Sequence, residues 1–160
     1  MPLTVLGDQR PPGLQRLIFC SQSTAQTGAE LDRDLQDIIA ASLRNNGPAE
    51  VTGFLLSHQG WFLQALEGPK AAVTEAFDRM KPDRRHVAPK VIISRPAEQR
   101  CFALSALNAR RLTCADDATL ARFQPGRLFE PHKLTARNAL GLLMTASQTV
   151  KPAKSILWLT

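Results

Sequence analysis

Three short polar stretches interrupt apolar or helix-ending sequence, and each carries groups able to bind as well as to pack. SLRNN, residues 42–46, sets Asn45 and Asn46 beside the hydroxyl of Ser42 in the last turn of a helix. Taken alone, that pattern also reads as a helix C-cap facing solvent. FLQALEG, residues 62–68, holds Gln64 in the middle of an apolar strand, on one face with Phe62 and Leu66. A buried primary amide has two donors and two acceptor sites to satisfy, and one left unpaired costs about 1–3 kcal/mol. A ligand with mixed donors and acceptors satisfies such a group, as does water at a sheet edge. DRRH, residues 83–86, gathers Asp83, Arg84, Arg85 and His86, a set able to hold a phosphate or ribose by charge-assisted hydrogen bonds or to form an exposed polar turn. Together the three stretches suit a heterocycle.

The elements that position these stretches are well punctuated. LQRLIFCS reads as a buried strand, with Leu17, Phe19 and Ser21 on one face and Ile18 and Cys20 on the other. Thr27 and Glu30 have capping-box spacing, Leu31, Leu35, Ile38 and Ile39 form an apolar stripe, and Asn46-Gly47-Pro48 ends the helix. VTGFLLSHQGWFLQALEG has the form of a hairpin turning at Gln59-Gly60. Gly68-Pro69 opens a second helix that buries Val73, Phe77 and Met80 and stops at Pro82. VAPKVIIS and RCFALSALNA are the fourth and fifth strands. The order βαββαββ predicts an α+β, ferredoxin-like sheet with two helices on one face. A further helix is expected over Leu134–Thr149, with Ala136, Leu140, Leu143 and Met144 on its apolar stripe, packed on the sheet's other face or on a partner. Two helices side by side on the sheet would bring the asparagine pair, Gln64 and the basic turn to one cleft.

The chain's 160 residues suit one domain, with 44% hydrophobic and 21% charged residues. Residues 1–13 read as a flexible leader rich in proline and glycine. The net charge of +6 is spread out, with few aromatics, so neither nucleic acid nor a membrane surface is the expected partner. Cys20, Cys101 and Cys114 have neither disulfide-framework nor zinc spacing, and the sequence shows no signal-peptide pattern or membrane span, which fits a cytoplasmic protein; no metal site is expected. An acyl phosphate hydrolase using an Arg and an Asn has the same topology, but no glycine-rich phosphate loop accompanies either residue.

LQRLIFCSQ, SLRNNGPAEVTGFLL, GWFLQALEGP, DRRH and the RCF strand, in this order and spacing, resemble the BLUF domain, the flavin-binding blue-light sensor domain. The resemblance runs from Leu14 to Leu107, within a domain taken as residues 14–110, and residues 111–160 are similar to the helical C-terminal cap of stand-alone members. It implies non-covalent FAD between the two helices. Asn46 is then similar to the asparagine on the ring's pyrimidine edge, with Asn45 and Ser42 lining the same helix end. Gln64 resembles the switch glutamine at flavin N5 or O4. Arg85, with Asp83 and His86, is similar to the group holding the rest of the cofactor, and Ile38 and Ile39 would pack on the ring.

Two departures from the family pattern bear on function. The family's photochemistry draws an electron and a proton from a tyrosine beside the glutamine; here that position is Phe19, and the chain has no tyrosine. Where the family commonly has tryptophan and, two residues on, methionine, this chain has Ser105 and Leu107. One hydroxyl hydrogen bond is worth about 1 kcal/mol, so cofactor binding survives its loss, whereas the missing donor removes a chemical step. Trp61 should point away from Gln64, Trp158 lies in the tail, and Cys20 faces opposite Phe19, so none replaces the phenol. The reading is a non-enzymatic FAD-binding sensory or regulatory protein with an impaired tyrosine-dependent photocycle. It is expected to signal by protein contact, as a homo-oligomer or to a downstream regulatory partner. The alternatives are a flavin-free interaction module of the same fold, and a working photoreceptor in which Phe19 is an engineered replacement.

Overall fold

The computed structural model describes residues 13–103 and 106–148. Residues 1–12 of the leader, Ser105, Thr149 and Trp158 therefore lie outside the described residues. The elements run β1 (Leu14–Ser23), α1 (Gly28–Asn46), β2 (Thr52–His58), β3 (Trp61–Pro69), α2 (Lys70–Met80), β4 (His86–Pro96), β5 (Asn108–Arg111), α3 (Asp117–Phe123) and α4 (Ala136–Ser147). Five strands form one mixed sheet in the order β4-β1-β3-β2-β5, antiparallel except for the β2–β5 pair.

Local chemistry accounts for the element ends. Thr27 Oγ1 accepts from the Glu30 amide at the start of α1, and the Glu30 carboxylate accepts from the Gln26 N–H, one residue outside a reciprocal capping box. The β2–β3 turn puts Gln59 and Gly60 at φ of 47° and 78°, the paired left-handed geometry whose twist suits a two-residue hairpin. At Gly53 a Cβ would stand 2.2 Å from the Ala65 carbonyl oxygen, so β2 approaches β3 this closely only with glycine. Pro69 closes β3 and precedes the first helical residue of α2, Lys70, instead of lying within the first turn.

Strand alternation divides the core into two layers. Leu17, Phe19 and Leu66 pack with Val73 and Ala76 of α2, and Leu55 and Phe62 pack with Leu35 of α1. On the opposite face Ile18, Cys20, Phe54, Leu56, Leu63 and Ala65 pack with α4. The expected stripe of α4 is rotated: Ala139, Leu142, Leu143 and Ala146 are buried, while Ala136, Leu140 and Met144 are only partly so. Two alanines on that face let the helix lie close to the sheet. On another side Gly141 admits the Phe123 ring of α3, where a Cβ would come within 2.7 Å. The short helix α3 was not anticipated.

The fifth strand is also corrected. Of RCFALSALNA, only Asn108 and Ala109 fall in β5, and residues 101–103 are loop. The reason is a buried polar knot. Glu67, fully buried on β3, accepts from the Cys101 and Phe102 amides at 2.7–3.0 Å and from Arg16 Nε at 2.8 Å. Arg16 also donates to the Gln99 carbonyl and the Cys101 sulfur. Arg100 reaches Thr52 Oγ1 and the Glu67 and Glu50 carbonyls. Backbone amides committed to a carboxylate are withdrawn from a strand ladder, so Cys101 and Phe102 do not join the sheet.

Candidate functional site

A cleft of ≈ 330 Å³ lies between α1, which packs on β2 and β3, and α2, which packs on β1 and β3. This lies within the range, about 300–1,000 Å³, of small-molecule clefts. Ile38 and Ala41 of α1, Leu55 and Phe62 of the sheet, and Ala76 and Met80 of α2 make its apolar walls. Alanines on the facing helices leave width for a flat group, and the walls can exclude water from it.

The polar groups converge on the floor and the α1 end. Antiparallel register puts Gln64 directly opposite Phe19 on one side and Leu55 on the other, so its amide emerges among apolar neighbours. Gln64 is 4% exposed, and its Nε2 has no hydrogen-bond partner. Asn46 is 2% exposed; its Oδ1 accepts from Arg79 Nη2 at 3.3 Å, while its Nδ2 is likewise unpartnered. Two orphaned amide donors thus line one cleft, a costly arrangement without an acceptor-bearing ligand. The C-cap reading of the asparagine pair therefore fails for Asn46: its side chain is buried, and Gly47 keeps right-handed helical geometry. Asn45 is exposed at the rim and Ser42 is buried in the wall.

At the other end the loop after α2 folds back on itself. Asp83 takes hydrogen bonds from the Arg85 backbone, Nε and Nη2, the last at 2.5 Å. The Arg85 guanidinium holds the Asp83 carboxyl below the usual carboxylate range, and that same hydrogen bond raises Arg85. Across the cleft mouth, burial pushes the Asp34 carboxyl up, helped by Glu30 and opposed by Arg85. His86 has both ring nitrogens engaged, Nδ1 with Ser21 Oγ at 2.7 Å and Nε2 with the Met80 carbonyl at 2.5 Å. Asp83, Arg85 and His86 all line the cleft.

Of the expected site residues, Ile38, Ser42, Asn45, Asn46, Gln64, Asp83, Arg85 and His86 are brought together here. Ile39 is half-buried but is not among the lining residues. Phe19 is 1% exposed beneath the cleft, its ring edge-on to Phe77 at 4.9 Å. Leu107 is buried with Leu35, Leu55 and Phe62 on the α1 side of the sheet, just before β5. Trp61 faces the other side, stacked on His132 at 4.9 Å. Burial pushes the Cys20 thiol up, in keeping with an inert core residue. Sequence reasoning missed Arg79 and Ser21. Arg79 lies three residues past Ala76 on the α2 face, and Ser21 shares the strand face of Phe19, so both followed from periodicity once the cleft was located.

The residues fit an acceptor-rich, flat heterocycle: orphaned donors for its polar edge, apolar walls for its faces, and the Arg79 and Arg85 side chains in the lining for an anionic substituent. Among the described residues no helix is long and apolar enough to cross a membrane, and no cluster is suited to a metal ion.

Residues 14–108 match the family BLUF, described as sensors of blue-light using FAD. Photoactivated adenylate cyclase subunit beta of Euglena gracilis is 33% identical over 112 residues, covering 70% of this chain and 12% of that protein. The alpha subunit from the same organism is 34% identical over 92 residues, covering 58% of this chain and 9% of that protein. The chain thus spans about an eighth or less of the curated relatives it matches. Among solved structures, BlsA in its photo-activated state aligns with a TM-score of 0.75 at 21% identity, covering 87% of this chain and 97% of that one. The dark-state structure of BlrB aligns at 0.67 and 23%, covering 87% and 98%. These two likenesses establish the fold.

Proposed function

The chain belongs to the BLUF family, and from that premise we propose that it is an FAD-binding sensory or regulatory protein in which the tyrosine-dependent photocycle is impaired. The observation that carries the proposal is the pair of buried, unpartnered amide nitrogens, Asn46 Nδ2 and Gln64 Nε2, lining one apolar-walled cleft. A flavin in that cleft supplies absorption of blue light and an electron-accepting ring. Asn46 and Gln64 would donate to the ring's acceptor atoms, Ile38, Leu55 and Phe62 would pack against its faces, Arg85 would hold the anionic remainder at the end of the cleft formed by the loop after α2, and Arg79, bonded to Asn46, would add positive charge to the lining.

Phe19 packs beside Gln64 as the family's tyrosine would, yet it has no O–H. It can neither hydrogen-bond the glutamine nor pass on a proton, and its phenyl ring is far harder to oxidise than a phenol. Losing the hydrogen bond costs about 1 kcal/mol, roughly fivefold in an equilibrium constant, so binding persists. Losing the donor removes the step that turns the glutamine. We read the protein as cytoplasmic and non-enzymatic, with its domain at residues 14–110 and a helical cap over 111–160. It signals by contact, as a homo-oligomer or to a separate regulatory partner.

Absorbance after purification and incubation with FAD tests the binding: a stoichiometric flavin band is expected, and its absence would leave the flavin-free interaction module. Blue light then tests the photochemistry. The protein as it stands should show no fast, reversible red shift of that band, and Phe19→Tyr should gain one; a normal shift without the substitution refutes the assigned role of Phe19.

A further inference from the structure

The loop after α2 carries a cation into the cleft lining and neutralises it there. Asp83 and Arg85 stand two residues apart in a turn held by the Asp83 N–H on the Met80 carbonyl, at 3.0 Å, and by the Arg85 N–H on Asp83 Oδ1, at 2.9 Å. The Arg85 side chain then closes on the same carboxylate with two prongs, Nε 2.9 Å from Oδ1 and Nη2 2.5 Å from Oδ2. An arginine grips a phosphate with the same planar fork, so on these donors one anion excludes the other. Both side chains are 28% exposed and both line the cleft, so a ligand substituent at this end meets an ion pair and not a bare guanidinium. The surroundings do not restore positive charge. Asp34 and Asp37 of α1 also act on Arg85, and Arg84, between the pair, is exposed and does not line the cleft. Asp34, Asp37 and Asp83 thus set three carboxylates against one guanidinium, while the other arginine of the lining, Arg79, is bonded to Asn46.

We propose that Asp83 is a specificity-determining residue: by occupying the Arg85 fork it removes most of what a phosphate would gain there, so the cleft selects its ligand by the flavin ring and takes riboflavin, FMN and FAD with similar affinity. The inference rests on the flavin reading of the cleft, with the ring's polar edge at Asn46 and Gln64 and its substituent toward the loop. Arg85 Nη1 is not used by Asp83 and can still touch a phosphate. The charge it would bring is already balanced, and the phosphate's own charge stands against Asp34, Asp37 and Asp83. Such a contact is worth an ordinary hydrogen bond and not a charge-assisted one.

The test is the set of dissociation constants for riboflavin, FMN and FAD, read from flavin fluorescence at one pH and one ionic strength. In the unaltered protein FMN and FAD should lie within about fivefold of riboflavin. Asp83→Asn leaves the fork without its anion, and should bring FMN to at least about tenfold tighter than riboflavin, a preference that added salt weakens. Adding Arg85→Gln to that variant should abolish the preference. The ratio is the readout because a change in the fold, or in the grip on the ring, acts on all the flavins alike. FMN more than about fivefold tighter than riboflavin in the unaltered protein, or a ratio that Asp83→Asn leaves unchanged, overturns the proposal while the flavin reading stands. Failure of the unaltered protein to bind any of these flavins sinks the flavin reading and this inference with it.

Discussion

Replacing Gln64 with leucine should stabilise the flavin-free protein while weakening its response to FAD. The residue is 4% exposed, stands beside Phe19 and Leu55, and shares its strand face with Phe62 and Leu66. Removing a buried donor that has no partner relieves about 1–3 kcal/mol, and giving up the solvation of the carbonyl oxygen returns about 1 kcal/mol of that. The net is a gain of roughly 1 kcal/mol, which raises the melting temperature by about 2–4 °C for a chain of this size. FAD at about a hundred times its Kd adds about 2.7 kcal/mol to the unaltered protein. A Kd weakened tenfold cuts that to about 1.4 kcal/mol in the variant, which erases its lead. Thermal unfolding followed by circular dichroism, with and without FAD, reads both quantities. A flavin-free variant less stable by more than about 1 kcal/mol would mean that the amide holds the fold together, and the reasoning from an orphaned donor would fail.

Other expectations follow from the same geometry. Glu67→Gln leaves the Arg16 guanidinium, 10% exposed, without its counter-charge, and denaturant unfolding should register a loss of about 3–5 kcal/mol. Leu143→Ala opens a cavity where α4 meets the sheet at a fully buried position, and should cost about 2–5 kcal/mol in the same assay. Asp83 has a folded pKa below its unfolded one, so its contribution to stability is present above the unfolded value, about 3.9, and fades as pH falls through the folded one. Asp83→Asn should therefore flatten the acid limb of the stability–pH curve below about pH 4 and leave its shape near neutrality unchanged.

Much of the fold was legible because its signals are local. Thr27 and Glu30 mark the start of α1 by a cap that needs only neighbouring residues, and Gln59-Gly60 supplies the left-handed backbone that a tight hairpin requires. Alternation grouped Phe19 with Leu17 and Ser21 on β1 and Gln64 with Phe62 and Leu66 on β3, and the pairing of the two strands sets both groups on one face. The fifth strand was misjudged because its apolar run looks like a ladder, whereas Glu67, more than thirty residues earlier, takes the amides of Cys101 and Phe102. The stripe of α4 was misjudged in rotation because which of its apolar residues turn inward depends on Phe123 fitting at Gly141.

By itself the sequence determined the order of elements, the three polar stretches and the missing phenol at Phe19, since composition, capping and periodicity are properties of short segments. Tertiary structure alone decided that Asn46 and Gln64 are buried with a free donor each, that Arg79 joins the site, that Asp83 claims Arg85, and that Ser21 bonds to His86. Those facts depend on where α1 and α2 pack across the sheet. A side chain's hydrogen-bonding state is fixed by what approaches it through space, and burial turns an ordinary polar residue into one that calls for a ligand.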